Sequence, residues 1–121
     1  MVSHILMHET SNRAIRNVLA ECRRLLAPGG ITAHVDLAVY SHMDAFDQFM
    51  LSWDTANNNE PFWDAYREMD PRALMREAGF AEETVFDALI ARKAGANAAF
   101  VKGRDSGGRG FWEVFGARRE A

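Results

Sequence analysis

Between Thr10 and Tyr40 the spacing of apolar side chains changes period. Ile15, Val18, Leu19, Cys22, Leu25 and Leu26 recur every three or four positions, while Arg13, Arg16, Glu21, Arg23 and Arg24 fall off that stripe. The pattern predicts an amphipathic helix with one face laid on something apolar. Thr10 or Ser11 can cap its first turn, Arg23 and Arg24 suit the negative pole at its end, and Ala27-Pro28-Gly29-Gly30 cannot continue it. From Ile31 the period drops to two. Ile31, Ala33, Val35, Leu37 and Val39 alternate with Thr32, His34, Asp36, Ala38 and Tyr40, which is the period of a strand. Before the helix, Val2 to Met7 reads as a short buried strand that ends at His8-Glu9. Strand, helix and strand with short connections predict a β-α-β crossover and two neighbouring parallel strands.

The pattern continues through the rest of the chain. Ser41 is placed to cap a helix carrying Met43, Phe46, Phe49, Met50 and Trp53. Asn57-Asn58-Asn59-Glu60-Pro61 interrupts it, and the restart carries Phe62, Trp63, Tyr66 and Met69. Asp70-Pro71 reads as a cap and a first-turn proline, Gly79 as the stop of the helix that follows, and Phe80 as folding back on Leu74 or Met75. Thr84 to Ala91 and Phe111 to Ala117 alternate again, as a closing antiparallel pair. Gly103, Gly107, Gly108 and Gly110 lie between them. They follow no strand-to-helix turn, so they read as a flexible connection rather than a nucleotide cradle.

Composition sets the outer limits. A chain of 121 residues, 48% hydrophobic and 26% charged, supports one globular core, so a single domain or a piece of one is expected. Fourteen basic against seventeen acidic residues give a net charge of -3 with no long run of either sign, which argues against nucleic acid and for small-molecule partners. Cys22 is the one cysteine and lies on the apolar helix face, where it reads as a buried thiol in a reducing, cytoplasmic setting. No apolar run approaches the roughly 20 residues of a membrane span, and no membrane partner is expected.

The order SHILMHET, a helix ending RRLLAPGG, the strand ITAHVDL, then DPRALMREAGF and a last strand FWEVFGARR resembles the C-terminal half of class I S-adenosylmethionine-dependent methyltransferases, across nearly the whole chain. Arg23 to Gly30 resembles that family's corner between helix and fifth strand, and Leu74 to Phe80 the helix before its sixth. Asn58 to Trp63 resembles an insert in some small-molecule methyltransferases. The resemblance implies an α/β fold, the C-terminal half of a Rossmann-like seven-stranded sheet in a three-layer α-β-α sandwich, here strands four to seven with the last antiparallel. Residues from about 42 to 69 would form a helical lid, S-adenosylmethionine would be the cofactor, and a small molecule would accept the methyl group. The family's Gly-rich turn, its ribose-binding acidic residue and its adenine contacts have no counterpart in this chain. The expectation is therefore a fragment or a half that needs a partner, with Ile5, Leu6 and Met7 on an unpaired apolar edge that invites self-association or pairing.

Ligands of open α/β sheets bind beyond the carboxyl ends of the strands. His8, Glu9 and Thr10 end the first strand. His8 is the candidate base or positioning donor, His8 and Thr10 are placed toward the cofactor, and Glu9 toward substrate; His8 as a plain loop contact and Glu9 as a partner of the helix start stand beside these readings. His34 and Asp36 share a strand face with Tyr40, and their polarity suggests an open cleft, although an arginine partner for Asp36 would serve equally. Asn57, Asn58, Glu60 and Trp63 are further candidates for substrate binding, with Phe46, Phe49, Trp53, Phe62 and Tyr66 as either lid or core. Two rivals remain. One is a non-catalytic binding or assembly half. The other is a metal hydrolase, disfavoured because His4 and His8, four strand residues apart, would be separated by about 13 Å, too far to share an ion; no metal is expected.

Overall fold

The computed structural model describes residues 1–91 and 111–121. Among the described residues the fold is mixed α/β, a four-stranded sheet with four helices. In chain order the elements are β1 (Val2–His4), α1 (Asn12–Leu25), β2 (Ile31–Leu37), α2 (Ala45–Asn57), α3 (Trp63–Arg67), α4 (Pro71–Glu77), β3 (Val85–Ala91) and β4 (Phe111–Arg118). Short 3₁₀ turns occupy Met7–Glu9, Tyr40–His42 and Glu82–Thr84.

The sheet order is β1-β2-β4-β3. β1 is parallel to β2, and β4 is antiparallel to both its neighbours. The expected crossover is present: α1 connects the two parallel strands and buries Ile15, Leu19 and Cys22. Ser11 is its cap, accepting from Ala14 N–H at 3.2 Å. Leu25 departs from the expected stripe and faces solvent, while Leu26 is buried as the chain leaves the helix. The glycine corner is held from the other end of the chain. Gly29 N–H donates to Arg119 O, Arg119 N–H donates to Gly30 O, both at 2.8 Å, and the Arg119 guanidinium reaches Leu26 O.

Besides β2, which stops at Leu37 rather than running to Tyr40, two boundaries differ from the sequence reading. β1 is three residues long and largely exposed, because Ile5 enters the left-handed region at φ 53° and the chain leaves the sheet. The cause lies at the end of β2. Leu6 and Met7 give their N–H groups to the Asp36 carboxylate at 3.1 and 2.8 Å instead of to a ladder. Met7 is consequently in the core rather than on an edge. The second difference is α2, which starts at Ala45 under an Asp44 cap, since Ser41 is taken into the preceding turn.

α4 follows the sequence closely. Asp70 accepts from Arg72 and Ala73 N–H, Pro71 opens the helix, and Gly79 at φ 95° closes it. Gly79 N–H reaches Arg76 O and Phe80 N–H reaches Met75 O, a Schellman pair that folds Phe80 into the core with Leu74 and Met75. β3 and β4 form the expected antiparallel pair, whereas the glycine connection between them lies outside the described residues.

The register assigns every strand residue to one of two faces. Thr32, His34 and Asp36 of β2 share a face with Glu113, Phe115 and Ala117 of β4, and all six are buried. Ile15 and Leu19 of α1 and Leu74 and Met75 of α4 join Phe115 and Ala117 in one core. The opposite face carries Val2, Ile31, Phe86 and Ile90, which are 79, 52, 38 and 51% exposed. Gly116 lies in this face because no side chain fits there: a Cβ would stand 2.1 Å from Thr32 O and 2.7 Å from the Phe86 ring. Among the described residues no helix is long and apolar enough to cross a membrane.

Candidate functional site at the carboxyl ends of the parallel strands

Asp36 is the centre of the site. It lies in the last turn of alternation of β2 on the packed face and is fully buried. One oxygen accepts Leu6 and Met7 N–H; the other accepts Leu37 N–H at 2.7 Å and stands 2.5 Å from His8 Nδ1. A carboxylate removed from water needs such donors, since each unmatched one would cost on the order of several kcal/mol. The bonds also decide the backbone, because they draw residues 6 to 8 into a turn over the strand end.

His8 is buried and engaged at both ring nitrogens, by Asp36 at Nδ1 and by Glu9 Oε1 at 2.8 Å from Nε2. Its ring meets Trp63 edge-on at 5.4 Å and Tyr66 at 6.4 Å. Trp63 Nε1–H in turn points to Glu9 Oε1 at 3.4 Å, a long contact. Both His8 nitrogens face a carboxylate oxygen, an arrangement that suits the positioning donor of the two roles expected for it. Among the described residues Asp36 meets no arginine. It touches backbone amides and His8, so its part is to fix the turn and the imidazole rather than to meet substrate.

The other sequence candidates separate. His34 is sealed under the core helices rather than facing a cleft. Ser3 Oγ is 2.7 Å from its Nδ1, Thr32 Oγ1 is 3.0 Å from its Nε2, and its ring packs on Phe115. Burial pulls its pKa down to about 4, with the N-terminal ammonium adding to the effect and Asp36 opposing it. Thr10 donates its hydroxyl to Met7 O at 3.0 Å and closes the turn. Asn57, Asn58 and Glu60 lie at the far end of α2 and are not brought to His8. Asn57 Nδ2 returns to Trp53 O, Asn58 Nδ2 to Asp54 Oδ1, and Asn59 takes φ 54°. Three asparagines therefore end one helix. Glu60 borders a cavity of 270 Å³ with Asn59 and Asp64. Of the aromatic segment, Tyr66 is core, while Phe46, Phe49 and Trp53 are exposed.

Glu113, His42 and Arg67 were not anticipated. Glu113 stands opposite Asp36 in the register and is buried, accepting Val39 N–H at 2.9 Å, with His42 Nε2 at 3.1 Å. The Tyr66 hydroxyl has no hydrogen-bond partner among the described residues; burial, then the Asp36 and Glu113 carboxylates, push its pKa up. Arg67 is buried, donates to Ala38 O at 2.9 Å and lies over the Tyr40 ring. Tyr40 donates its hydroxyl to Asp64, which also accepts from Ser52 Oγ; burial and that bond raise the Tyr40 pKa. The signal for Glu113 was present in the alternation, which sets a carboxylate on the same face as Phe115 and Ala117. Among the described residues no group of three or more His, Cys, Asp and Glu side chains is arranged to hold a metal ion.

The chain matches no protein-family model and no curated protein. It is similar in fold to a crystal structure of a possible exported protein from Bordetella parapertussis, with a TM-score of 0.52 and 17% identity over 99% of this chain and 38% of that one. The chain thus spans well under half the length of that protein. Likeness at this identity concerns the fold alone.

Proposed function

We propose that this chain is the C-terminal, acceptor-side half of a class I S-adenosylmethionine-dependent methyltransferase acting on a small molecule, with strands four to seven of a seven-stranded sheet. The observation that carries the reading is the pair of parallel strands β1 and β2 joined across α1, with an antiparallel last strand and a buried polar cluster at the strand ends. That is where an open α/β sheet takes its ligand. His8, held by Asp36, and Glu9, held by His8 and Trp63, are the groups that would orient the acceptor.

The described residues do not themselves make a cradle for the cofactor. Both His8 nitrogens are engaged by carboxylates, and the Thr10 hydroxyl gives its hydrogen to Met7 O and keeps only its acceptor capacity. The grip is assigned to a complementary half. The exposed apolar face also favours a second reading, a non-catalytic assembly half with the same need for a partner. The buried Cys22 thiol favours a reducing, cytoplasmic setting for either.

Isothermal titration with S-adenosylmethionine distinguishes the two. Methyl transfer requires binding heat once a candidate complementary half is added to the chain. Absence of heat from every such mixture would leave the assembly role.

A further inference from the structure

The register sets Asp36 opposite Glu113, so two buried carboxylates stand side by side on the packed face where β2 ends and β4 begins. A histidine meets each of them, and the two histidines differ. His8 is sealed, with a carboxylate on each nitrogen. His42 is not: its side chain is 31% exposed, only Nε2 is engaged, at 3.1 Å from Glu113 Oε1, and among the described residues Nδ1 has no partner. Glu113 is fixed from its other oxygen by Val39 N–H at 2.9 Å. The turn bearing His42 is also built rather than loose. Met43 N–H donates to Tyr40 O at 2.9 Å, and the Gln48 amide donates to Tyr40 O and Met43 O at 3.1 and 3.0 Å.

A carboxylate only accepts, so in the neutral imidazole the proton stands on Nε2, facing Glu113, and the lone pair stands on Nδ1. We infer that His42 and Glu113 form the proton-accepting pair of this end of the sheet. His42 Nδ1 takes a proton from the hydroxyl or amine of a small-molecule ligand, the Nε2 proton stays on its bond to Glu113, and the Glu113 charge offsets the imidazolium that forms. The exposed ring then returns the proton to water. This role rests on the strand-end site proposed above, and it supplies the free base that His8 lacks.

Carbethoxylation by diethyl pyrocarbonate, followed peptide by peptide in the mass spectrometer, tests the pairing without cofactor or acceptor. His4 is the internal reference, an exposed imidazole that packs on Trp112 and meets no carboxylate among the described residues. The expected result is modification of His42 about fivefold faster than His4, with the ratio falling toward one in Glu113→Gln while His8 and His34 stay protected. Equal rates in the parent chain, or an unchanged ratio in the variant, would overturn the pairing. If Glu113→Gln opens His8 or His34 to reagent, Glu113→Asp replaces it and the same two outcomes apply. Nitrogen-15 spectra of the imidazoles give an independent reading: a His42 ring protonated on Nδ1 alone sinks the assignment. Loss of the methyl-transfer reading by titration leaves these results standing, and the reverse also holds.

Discussion

On one face of the sheet Thr32, His34, Asp36 and Glu113 lie buried beside Phe115 and Ala117, while on the other Val2, Ile31, Phe86 and Ile90 face solvent. Hydrophobicity alone would place them the other way round. The polar face can be packed because each buried polar group there is matched nearby: Asp36 by three amides and a histidine, His34 by two hydroxyls, Glu113 by an amide and a histidine. The apolar face is exposed at Val2, Ile31, Phe86 and Ile90 and buried at Leu37, since the described residues cover only part of it. What buries a strand face is thus the presence of a covering layer and of hydrogen-bond partners. The apolar count of the face comes second.

The contrast can be broken most severely at Asp36. Replacing it by alanine leaves Leu6, Met7 and Leu37 N–H and the His8 ring without their acceptor, and a loss of about 4 kcal/mol in urea unfolding is expected. A loss below about 1 kcal/mol would mean that water replaces the carboxylate easily and that the packed face is looser than described. Gly116→Ala tests the seam between the two faces. With backbone 2.1 Å from the new Cβ, β2 and β4 must separate, and about 3 kcal/mol is expected in the same assay.

The third test uses acid. Burial lowers the His34 pKa to about 4 from the ordinary 6.5, so the unfolded chain takes up a proton that the folded chain resists. Stability from this group is full above pH 6.5 and is lost as the pH falls through 4, by about 3 kcal/mol in all. His34→Gln should flatten that part of the pH profile; an equally steep decline in the variant would assign it to other groups. The smallest effect is expected on the open face. Ile31→Lys with Ile90→Lys should change stability by no more than about 0.5 kcal/mol, because both side chains are already half in water. A larger loss would mean that this face is covered in solution.

Much of the architecture was legible in the chain because local chemistry and tertiary packing agree there. Ser11, Asp70-Pro71 and Gly79 are strong local signals, and α1 and α4 follow them closely, while β2 starts at Ile31 as expected and stops three residues early. The first strand misled because Ile5, Leu6 and Met7 are apolar enough to continue it, and the distant Asp36 carboxylate, which captures the Leu6 and Met7 amides, shows why they do not. His8, Glu9, Asp36 and Trp63 come together as a group, although Asp36 serves the turn rather than an open cleft. Asn57 and Asn58 misled for a simpler reason: consecutive asparagines offer many polar groups, and a helix end used them. Glu113 and His42, 71 residues apart, meet only through the β2–β4 register, which spacing along the chain does not reveal.

The exposure of the apolar face is a claim about the folded chain, and dye binding measures it directly. Anilinonaphthalene sulfonate fluorescence should rise with the cooperatively folded chain, and the rise should disappear in Ile31→Lys with Ile90→Lys while the unfolding transition is kept. A parent chain that stays monomeric in sedimentation, melts cooperatively and leaves the dye dark would contradict the claim.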